Sequence, residues 1–187
     1  MTLLCLAAAL SQVFAAAADI GEKIGEFRLQ DTAGNTHSLD SYAGKVVVLA
    51  FWSFKCPVAL ACNDRLTALQ SKYGNRGVVV LGVASNANES KAEIQRNVSN
   101  LNLSFPILLD SDGMVAERLG ASHTPGIFIL DPGAILRYKG SLDNNKTLGD
   151  RGREANAEEA IDSILAGQPV AKPETAFFGC SIKRKSS

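Results

Sequence analysis

One cysteine of the sequence stands where a buried strand is expected to give way to a helix. Cys56 follows the apolar, β-branched run Lys45–Trp52, and Pro57 opens a segment whose apolar residues recur at helical spacing. At a helix amino terminus, unpaired N–H groups and the helix dipole stabilise a thiolate and lower the pKa of the thiol. Because the thiolate is the nucleophile of thiol chemistry, Cys56 is the candidate nucleophile and Pro57 begins the helix that activates it. The alternative is an inert core cysteine.

Two later cysteines are candidates for a partner of Cys56. Cys62 follows it by six residues, which on a helix is a rise of about 9 Å. A disulfide needs Cα atoms within about 7 Å, so Cys62 is interpreted as an apolar helix residue. Cys180 follows Phe177 and Phe178, an apolar pair that predicts docking of the tail on the domain. A docked Cys180 could act as a resolving cysteine for Cys56; the alternatives are a disulfide with Cys62 and an unpaired thiol.

The segments around these cysteines alternate between strand and helix patterns. Buried strands are predicted at Lys45–Trp52, Gly77–Ser85 and Phe105–Asp110, and helices at Pro57–Tyr73, Ser90–Leu101, Gly113–Leu119 and Glu158–Leu165. Hairpins are predicted within residues 26–39 and 126–140, and a polar loop at 142–156. Strands separated by helices predict parallel pairing, and the late hairpin predicts an antiparallel edge, so the expected class is α/β with a mixed sheet.

Composition limits the class of protein. The 187 residues are 46 % hydrophobic and 20 % charged, and 19 Lys and Arg balance 19 Asp and Glu. This excludes a disordered chain and argues against a nucleic-acid partner, because no net positive charge attracts phosphates. Four cysteines are too few for a disulfide-stapled miniprotein, and they point to specific thiol chemistry.

The amino-terminal segment predicts export. Residues 1–18 form an apolar run that ends in an alanine-rich stretch with A-x-A cleavage patterns, typical of a signal peptide. A membrane anchor and lipid attachment at Cys5 are the alternatives. The expected organisation is a domain at 19–168 and a tail at 169–187, in a secreted or periplasmic protein that does not contact the membrane after cleavage. Cleavage removes Cys5 and leaves an odd number of cysteines, which suggests a reactive thiol.

Two longer motifs resemble a known family. The runs VVVLAFWSFKCP and SHTPGIFILDPGAILRYKG resemble the thioredoxin fold, in the redoxin branch related to alkyl hydroperoxide reductase and thiol-specific antioxidant proteins. The segments CPVALACNDRLTAL and GCSIK further resemble secreted peroxiredoxin-like proteins. The resemblance covers about residues 20–185. It implies a three-layer α/β sandwich with a central mixed sheet and an amino-terminal β-hairpin. It also implies that Thr124 and Pro125 form a cis-proline loop on the substrate side of Cys56.

The sequence departs from both patterns within this superfamily. The second cysteine of a thioredoxin C-x-x-C motif is replaced by Ala59, and its buried acid by Ala50. In the peroxiredoxin pattern, Ser53 occupies the hydroxyl position and is expected to donate a hydrogen bond to Cys56.

Two further positions of the peroxiredoxin pattern differ. Leu49 stands where that pattern has proline, and Thr124 and Pro125 stand where its arginine is expected. These differences favour an adapted active site. His123, beside the Thr-Pro pair, is expected either to tune the thiolate or to lie in solvent.

Two hypotheses follow. The first is a thiol oxidoreductase or peroxiredoxin-like reductase that acts on a protein disulfide or a peroxide and is recharged by a thiol electron donor, without cofactor or metal. The second is a non-catalytic binding module in which Cys56 is structural or a metal contact. The C-x5-C spacing does not match the C-x-x-x-C pair of a copper chaperone.

Overall fold

The structure is a computed structural model that describes residues 17–144 and 154–185. Nearly all of the predicted signal peptide, with Cys5, and most of the predicted loop at 142–156 lie outside the described residues. None of the helices in the described part of the chain has the length and hydrophobicity needed to cross a bilayer.

The described elements follow the predicted alternation. The strands are β1 (Arg28–Gln30), β2 (Thr36–Ser38), β3 (Val46–Phe51), β4 (Val78–Ala84), β5 (Ile107–Leu109), β6 (His123–Thr124), β7 (Gly126–Leu130), β8 (Leu136–Gly140) and β9 (Cys180–Ser181). The α-helices are α1 (Pro57–Ala61), α2 (Asn63–Tyr73), α3 (Lys91–Ser99), α4 (Met114–Leu119) and α5 (Asn156–Leu165).

A mixed five-stranded sheet with the order β5-β4-β3-β7-β8 forms the centre of the domain. Strands β3, β4 and β5 are parallel, whereas β7 runs antiparallel to β3 and pairs with β8 as a hairpin. Strands β1 and β2 form the separate amino-terminal hairpin. The predicted α/β class, mixed sheet and amino-terminal hairpin are therefore confirmed.

Strand β3 contributes to both layers of the core because it is buried on both faces. Val46, Val48 and Ala50 face one apolar cluster, which includes residues of α1, α2 and α5. Val47 and Leu49 face the other cluster, which includes residues of α4 and of the amino-terminal hairpin. Successive side chains of a strand point to opposite faces of the sheet, which explains this division. Packing of apolar clusters on both faces makes the domain a sandwich.

The predicted helix at Pro57–Tyr73 is divided in two. Helix α1 ends at Ala61, and the N–H of Cys62 bonds the carbonyls of Ala59 and Leu60. The backbone then resumes as α2, whose first turn begins at Asn63. The apolar periodicity continues through Cys62, so the spacing of apolar residues contained no sign of this break.

The tail adds a strand that the sequence did not predict. Residues Cys180 and Ser181 pair antiparallel with Thr124 and His123. The N–H of Ile182 continues the pairing to the carbonyl of Ser122 at 2.8 Å. The tail is thus held on the domain through its backbone.

Candidate active site

Three loops meet at one edge of the sheet. Parallel strands β3 and β4 end at that edge, and β7 begins there because it runs antiparallel to β3, with Phe51 opposite Gly126. The topology therefore brings together Cys56, which follows β3, and Thr124, which precedes β7. The loop that follows β4 reaches the same edge and contains Glu89.

Cys56 is the N-cap residue of α1, and Pro57 occupies the first turn. Its sulfur accepts a hydrogen bond from the N–H of Ala59 at 3.4 Å. In the thiol form it donates to the carbonyl of Thr124 at 2.9 Å. The side chain is completely buried, with an exposed fraction of 0 %. The sulfur thus lies at the helix amino terminus that the sequence indicated, and it is covered from solvent.

The Thr124–Pro125 peptide bond is cis. It places the carbonyl of Thr124 against the Cys56 sulfur, while the same residue pairs with Cys180 in the β6–β9 ladder. Cys56 and Cys180 both carry unoxidised thiols, as does Cys62. The Cys56 and Cys180 thiols therefore lie on the same residue, Thr124, and each shifts the pKa of the other. The structure therefore brings together four of the residues singled out in the sequence: Cys56, Cys180, Thr124 and Pro125.

The two paired thiols are shifted in opposite directions. Burial raises the pKa of Cys56, but hydrogen bonds from the side chains of Cys180 and Thr124 and from the N–H groups of Ala59 and Cys180 outweigh burial, so this pKa lies below its usual value. The same thiol pair raises the pKa of Cys180 to about 11, because Cys180 acts as the donor to the Cys56 thiolate. Cys56 is thus the thiol of the pair that ionises first.

This asymmetry predicts the pH dependence of alkylation. In the reduced protein, the iodoacetamide reactivity of Cys56 should rise at a lower pH than that of Cys180, because the thiolate is the reactive form. The substitution Cys180→Ala removes the largest stabilising hydrogen bond on the Cys56 thiolate and should move its titration to higher pH. Mass-spectrometric quantification of each alkylated peptide from pH 5 to 10 measures both effects. Equal titration of the two thiols would contradict the assignment.

The expected hydrogen bond from the Ser53 hydroxyl to Cys56 is absent. The hydroxyl instead donates to a carboxylate oxygen of Glu89 and accepts from the N–H of Lys55 at 3.1 Å. Ser53 contacts Cys56 through its backbone carbonyl, which accepts from the Cys56 N–H at 3.3 Å. A buried carboxylate nearby is the stronger acceptor for this hydroxyl, which explains the difference. Ser53 thus supports the turn before α1.

Glu89 is the residue at this edge that the sequence analysis missed. It is 7 % exposed, and burial raises the pKa of its carboxyl despite the hydrogen bond from Ser53. Glu89 is distant from Cys56 in sequence and lies in a polar loop, so only the position of a glutamate after a parallel strand could have indicated it.

The other charged neighbours of the site point away from the sulfur. The Lys55 ammonium bonds the carbonyl of Asn88 and lies 3.8 Å from Glu93. The ring of His123 stacks on Phe177, with centroids 6.4 Å apart, and its Nδ1 lies 2.8 Å from the Ser122 hydroxyl. His123 therefore contributes to the site through its backbone and by packing against the tail.

Phe177 fixes the tail on the domain. Its ring stacks on Phe128 at 5.6 Å between centroids as well as on His123. An apolar contact of this kind stabilises docking by removing aromatic surface from water. The docking expected from the paired phenylalanines is therefore present for Phe177.

Cys62 has a different environment from the other two cysteines. It is 1 % exposed, and burial raises its pKa to about 11, although the adjacent Arg65 partly offsets this effect. A guanidinium nitrogen of Arg65 lies 3.0 Å from its sulfur. Such a thiol is protonated near neutral pH and poorly nucleophilic, in agreement with a structural role in the core. Among the described residues, no three His, Cys, Asp or Glu side chains are grouped as metal ligands.

The fold and the thiol at its helix amino terminus define a thioredoxin-like protein of the redoxin branch. The structure of an uncharacterised conserved protein from Geobacillus kaustophilus superposes with a TM-score of 0.82, covering 94 % of this chain and 95 % of that one at 26 % identity. A family model described as AhpC/TSA matches residues 20–139. The chain belongs to the AhpC/TSA family.

Curated relatives include disulfide-exchange proteins. The thiol-disulfide oxidoreductase ResA of Halalkalibacterium halodurans is 34 % identical over 118 residues, 63 % of this chain and 66 % of that protein. The thiol:disulfide interchange protein DsbE of Vibrio cholerae is 27 % identical over 129 residues, 67 % of each chain. The chain thus spans about two thirds of the length of these relatives.

Proposed function

We propose that this protein is a thiol-based oxidoreductase that exchanges disulfides with a protein substrate. Cys56 is the nucleophile, and Cys180 is the resolving cysteine in place of the usual second cysteine of the helix. The names of the ResA and DsbE relatives support disulfide exchange as the class of reaction. Secretion or export to the periplasm remains a prediction from residues 1–18.

The observation that carries this proposal is the position of Cys180, which pairs with Thr124 while the carbonyl of Thr124 contacts the Cys56 sulfur at 2.9 Å. Pairing of β9 with β6 creates this alignment. The mutual effect of the two thiols on their pKa values supports their proximity, and a disulfide forms only between cysteines that lie close together. Two thiols in this position are suited to form an intramolecular disulfide.

The proposed reaction has two exchange steps. The Cys56 thiolate attacks one sulfur of a substrate disulfide, so that a mixed disulfide forms and the other substrate sulfur leaves as a thiolate. Cys180 loses its proton and attacks the Cys56 sulfur, which releases the second substrate thiolate. The substrate gains two electrons and two protons, and the protein becomes the Cys56–Cys180 disulfide. A dithiol donor returns it to the reduced form by the reverse exchanges.

A disulfide is preferred to a peroxide as substrate because of the residues that stand beside the sulfur. Thr124 occupies the place of the peroxidase arginine, and Leu49 replaces the proline of that pattern. Thr124 instead offers backbone groups to an extended chain, as its pairing with Cys180 illustrates. Consumption of hydrogen peroxide by the reduced protein, without reduction of a protein disulfide, would assign the peroxidase reaction instead.

Disulfide mapping tests the proposed pair. The full chain, oxidised with one equivalent of a model disulfide, should yield a peptide pair linked between Cys56 and Cys180, with Cys62 alkylated by iodoacetamide after denaturation. The variant Cys62→Ala is the matched control. It should give the same linkage, because the Cys62 thiol that it removes is buried beside Arg65 and is not part of the proposed pair. A Cys62–Cys180 linkage, or Cys180 recovered as a thiol, would reject Cys180 as the resolving residue.

A further inference from the structure

The Glu89 carboxyl is buried and only partly hydrogen-bonded. One oxygen accepts from the Ser53 hydroxyl and lies 3.5 Å from the Asn86 amide nitrogen. The second oxygen, Oε2, is buried and has no hydrogen-bond partner among the described residues. A buried polar atom in this state destabilises the folded chain, so its presence needs an explanation other than stability.

A cavity of about 110 Å³ lies between the Glu89 loop and the tail. Glu89 and Cys180 both line it, together with Ser53, Lys55 and Lys183. Its volume is large enough to hold water, and a water needs polar partners of the kind that these side chains provide. Water in this cavity gives a proton a route between Glu89 and Cys180.

Burial and the surrounding charges set the proton affinity of the Glu89 carboxyl. Burial raises the pKa of Glu89, while Lys55 lowers it and the carboxylate of Glu93 raises it. Lys183 of the tail faces the same cavity. A carboxyl whose pKa moves upward toward neutrality is a better proton acceptor than an exposed one at the same pH.

Cys180 needs such an acceptor. Once Cys56 is held in a mixed disulfide it can no longer pair with Cys180 as a thiolate, but an ordinary thiol, with a pKa of about 8.5, is still mostly protonated at pH 7 and attacks slowly. Ala50 stands at the position where thioredoxins have a buried acid. The Ala50 side chain is completely buried in the apolar core. The chain thus lacks that acid but places another carboxyl at the end of the neighbouring strand.

We propose that Glu89 accepts the proton of the Cys180 thiol when Cys180 resolves a mixed disulfide on Cys56. The inference rests on the disulfide exchange proposed above and deepens it. The Cys180 S–H bond breaks and its proton moves to the Glu89 carboxylate. A bond forms between the Cys180 and Cys56 sulfurs, and the bond from Cys56 to the substrate sulfur breaks. The departing thiolate takes up a proton, and Glu89 returns its own to solvent.

Rapid-quench mass spectrometry of the full chain, reduced and mixed with oxidised glutathione, tests this role. Cys180→Ser should trap the glutathionyl adduct on Cys56 and so report the first step alone. Glu89→Gln should form that adduct at the normal rate but convert it to the internal disulfide about a hundredfold more slowly at pH 7. The deficit should shrink toward high pH, where hydroxide removes the thiol proton. Gln is the matched variant because its amide oxygen can still accept from Ser53.

Each alternative outcome has a distinct meaning. Conversion by Glu89→Gln at the normal rate and with the normal pH profile would overturn the role of Glu89 and leave the proposed function intact. A slowing that is equal at all pH values, and that Glu89→Asp does not relieve, would also overturn it, because it would indicate a structural role. A Cys180→Ser protein that forms no adduct on Cys56 would overturn the proposed function and this inference with it. Circular dichroism of each variant verifies that it is folded.

Discussion

The substitution Cys56→Ser should reduce disulfide exchange to the uncatalysed background. A serine hydroxyl stays protonated at this position, whereas the Cys56 thiol is stabilised as a thiolate by the hydrogen bonds from Cys180 and Thr124 and from the Ala59 N–H. Reduction of insulin by the full chain, with dithiothreitol as the recharging donor, measures the loss. Cys56→Ala is a second variant, which introduces no buried hydroxyl. It should lose disulfide exchange to the same extent as Cys56→Ser.

Cys62→Ala is the matched control for this experiment. It removes another buried thiol, six residues away, whose raised pKa keeps it protonated. Its activity should equal that of the unmodified chain. If Cys56→Ser retained full disulfide reductase activity, the chain would be better described as a binding module in which Cys56 has a structural role.

The substitution Gly179→Ala should displace the tail from the active site. Gly179 has a φ of +131°, and an added Cβ would lie 2.3 Å from the carbonyl oxygen of Thr124. The backbone conformation alone costs about 1–3 kcal/mol for a residue with a side chain. We therefore expect iodoacetamide to alkylate Cys56 about tenfold faster or more, because the sulfur becomes accessible. Formation of the Cys56–Cys180 disulfide should slow at the same time. Peptide-resolved alkylation kinetics measure the first effect.

Gly167→Ala controls for the general effect of replacing a glycine at positive φ. Its φ is +67° and nothing lies within 4 Å of the added carbon, so it should destabilise the chain slightly and leave Cys56 alkylation unchanged. Unaltered alkylation in Gly179→Ala would mean that the paired strand β9 does not limit access to Cys56.

The central sheet was predictable because its strands are strongly apolar. Strand β3 lies within the predicted run Lys45–Trp52, and β4 within Gly77–Ser85. Burial on both faces leaves a continuous apolar signal in the sequence. The helix break at Cys62 and the two-residue strand β9 were not predictable, because they depend on backbone hydrogen bonds that leave no periodic trace.

Residues of the candidate site were predictable only where their position depends on the strand or helix that contains or adjoins them. The position of Cys56 follows from a strand that ends and a helix that begins, both visible locally. The hydroxyl of Ser53 was assigned the wrong partner because the competing carboxylate of Glu89 comes from a distant loop. Parallel pairing of β3 with β4 brings that loop to the sulfur, and local sequence does not reveal which side chains will meet there.

The complete burial of Cys56 has a kinetic consequence. A bulky disulfide reaches the sulfur only after the terminal segment has lifted, whereas a reagent of a few atoms needs a smaller opening. For large substrates the exchange rate should therefore approach a maximum equal to the rate at which the terminal segment lifts. Further increases in substrate concentration should not raise it. Selectivity by size would then arise from the protein's own carboxyl-terminal residues, which compete with every incoming chain for the same backbone groups.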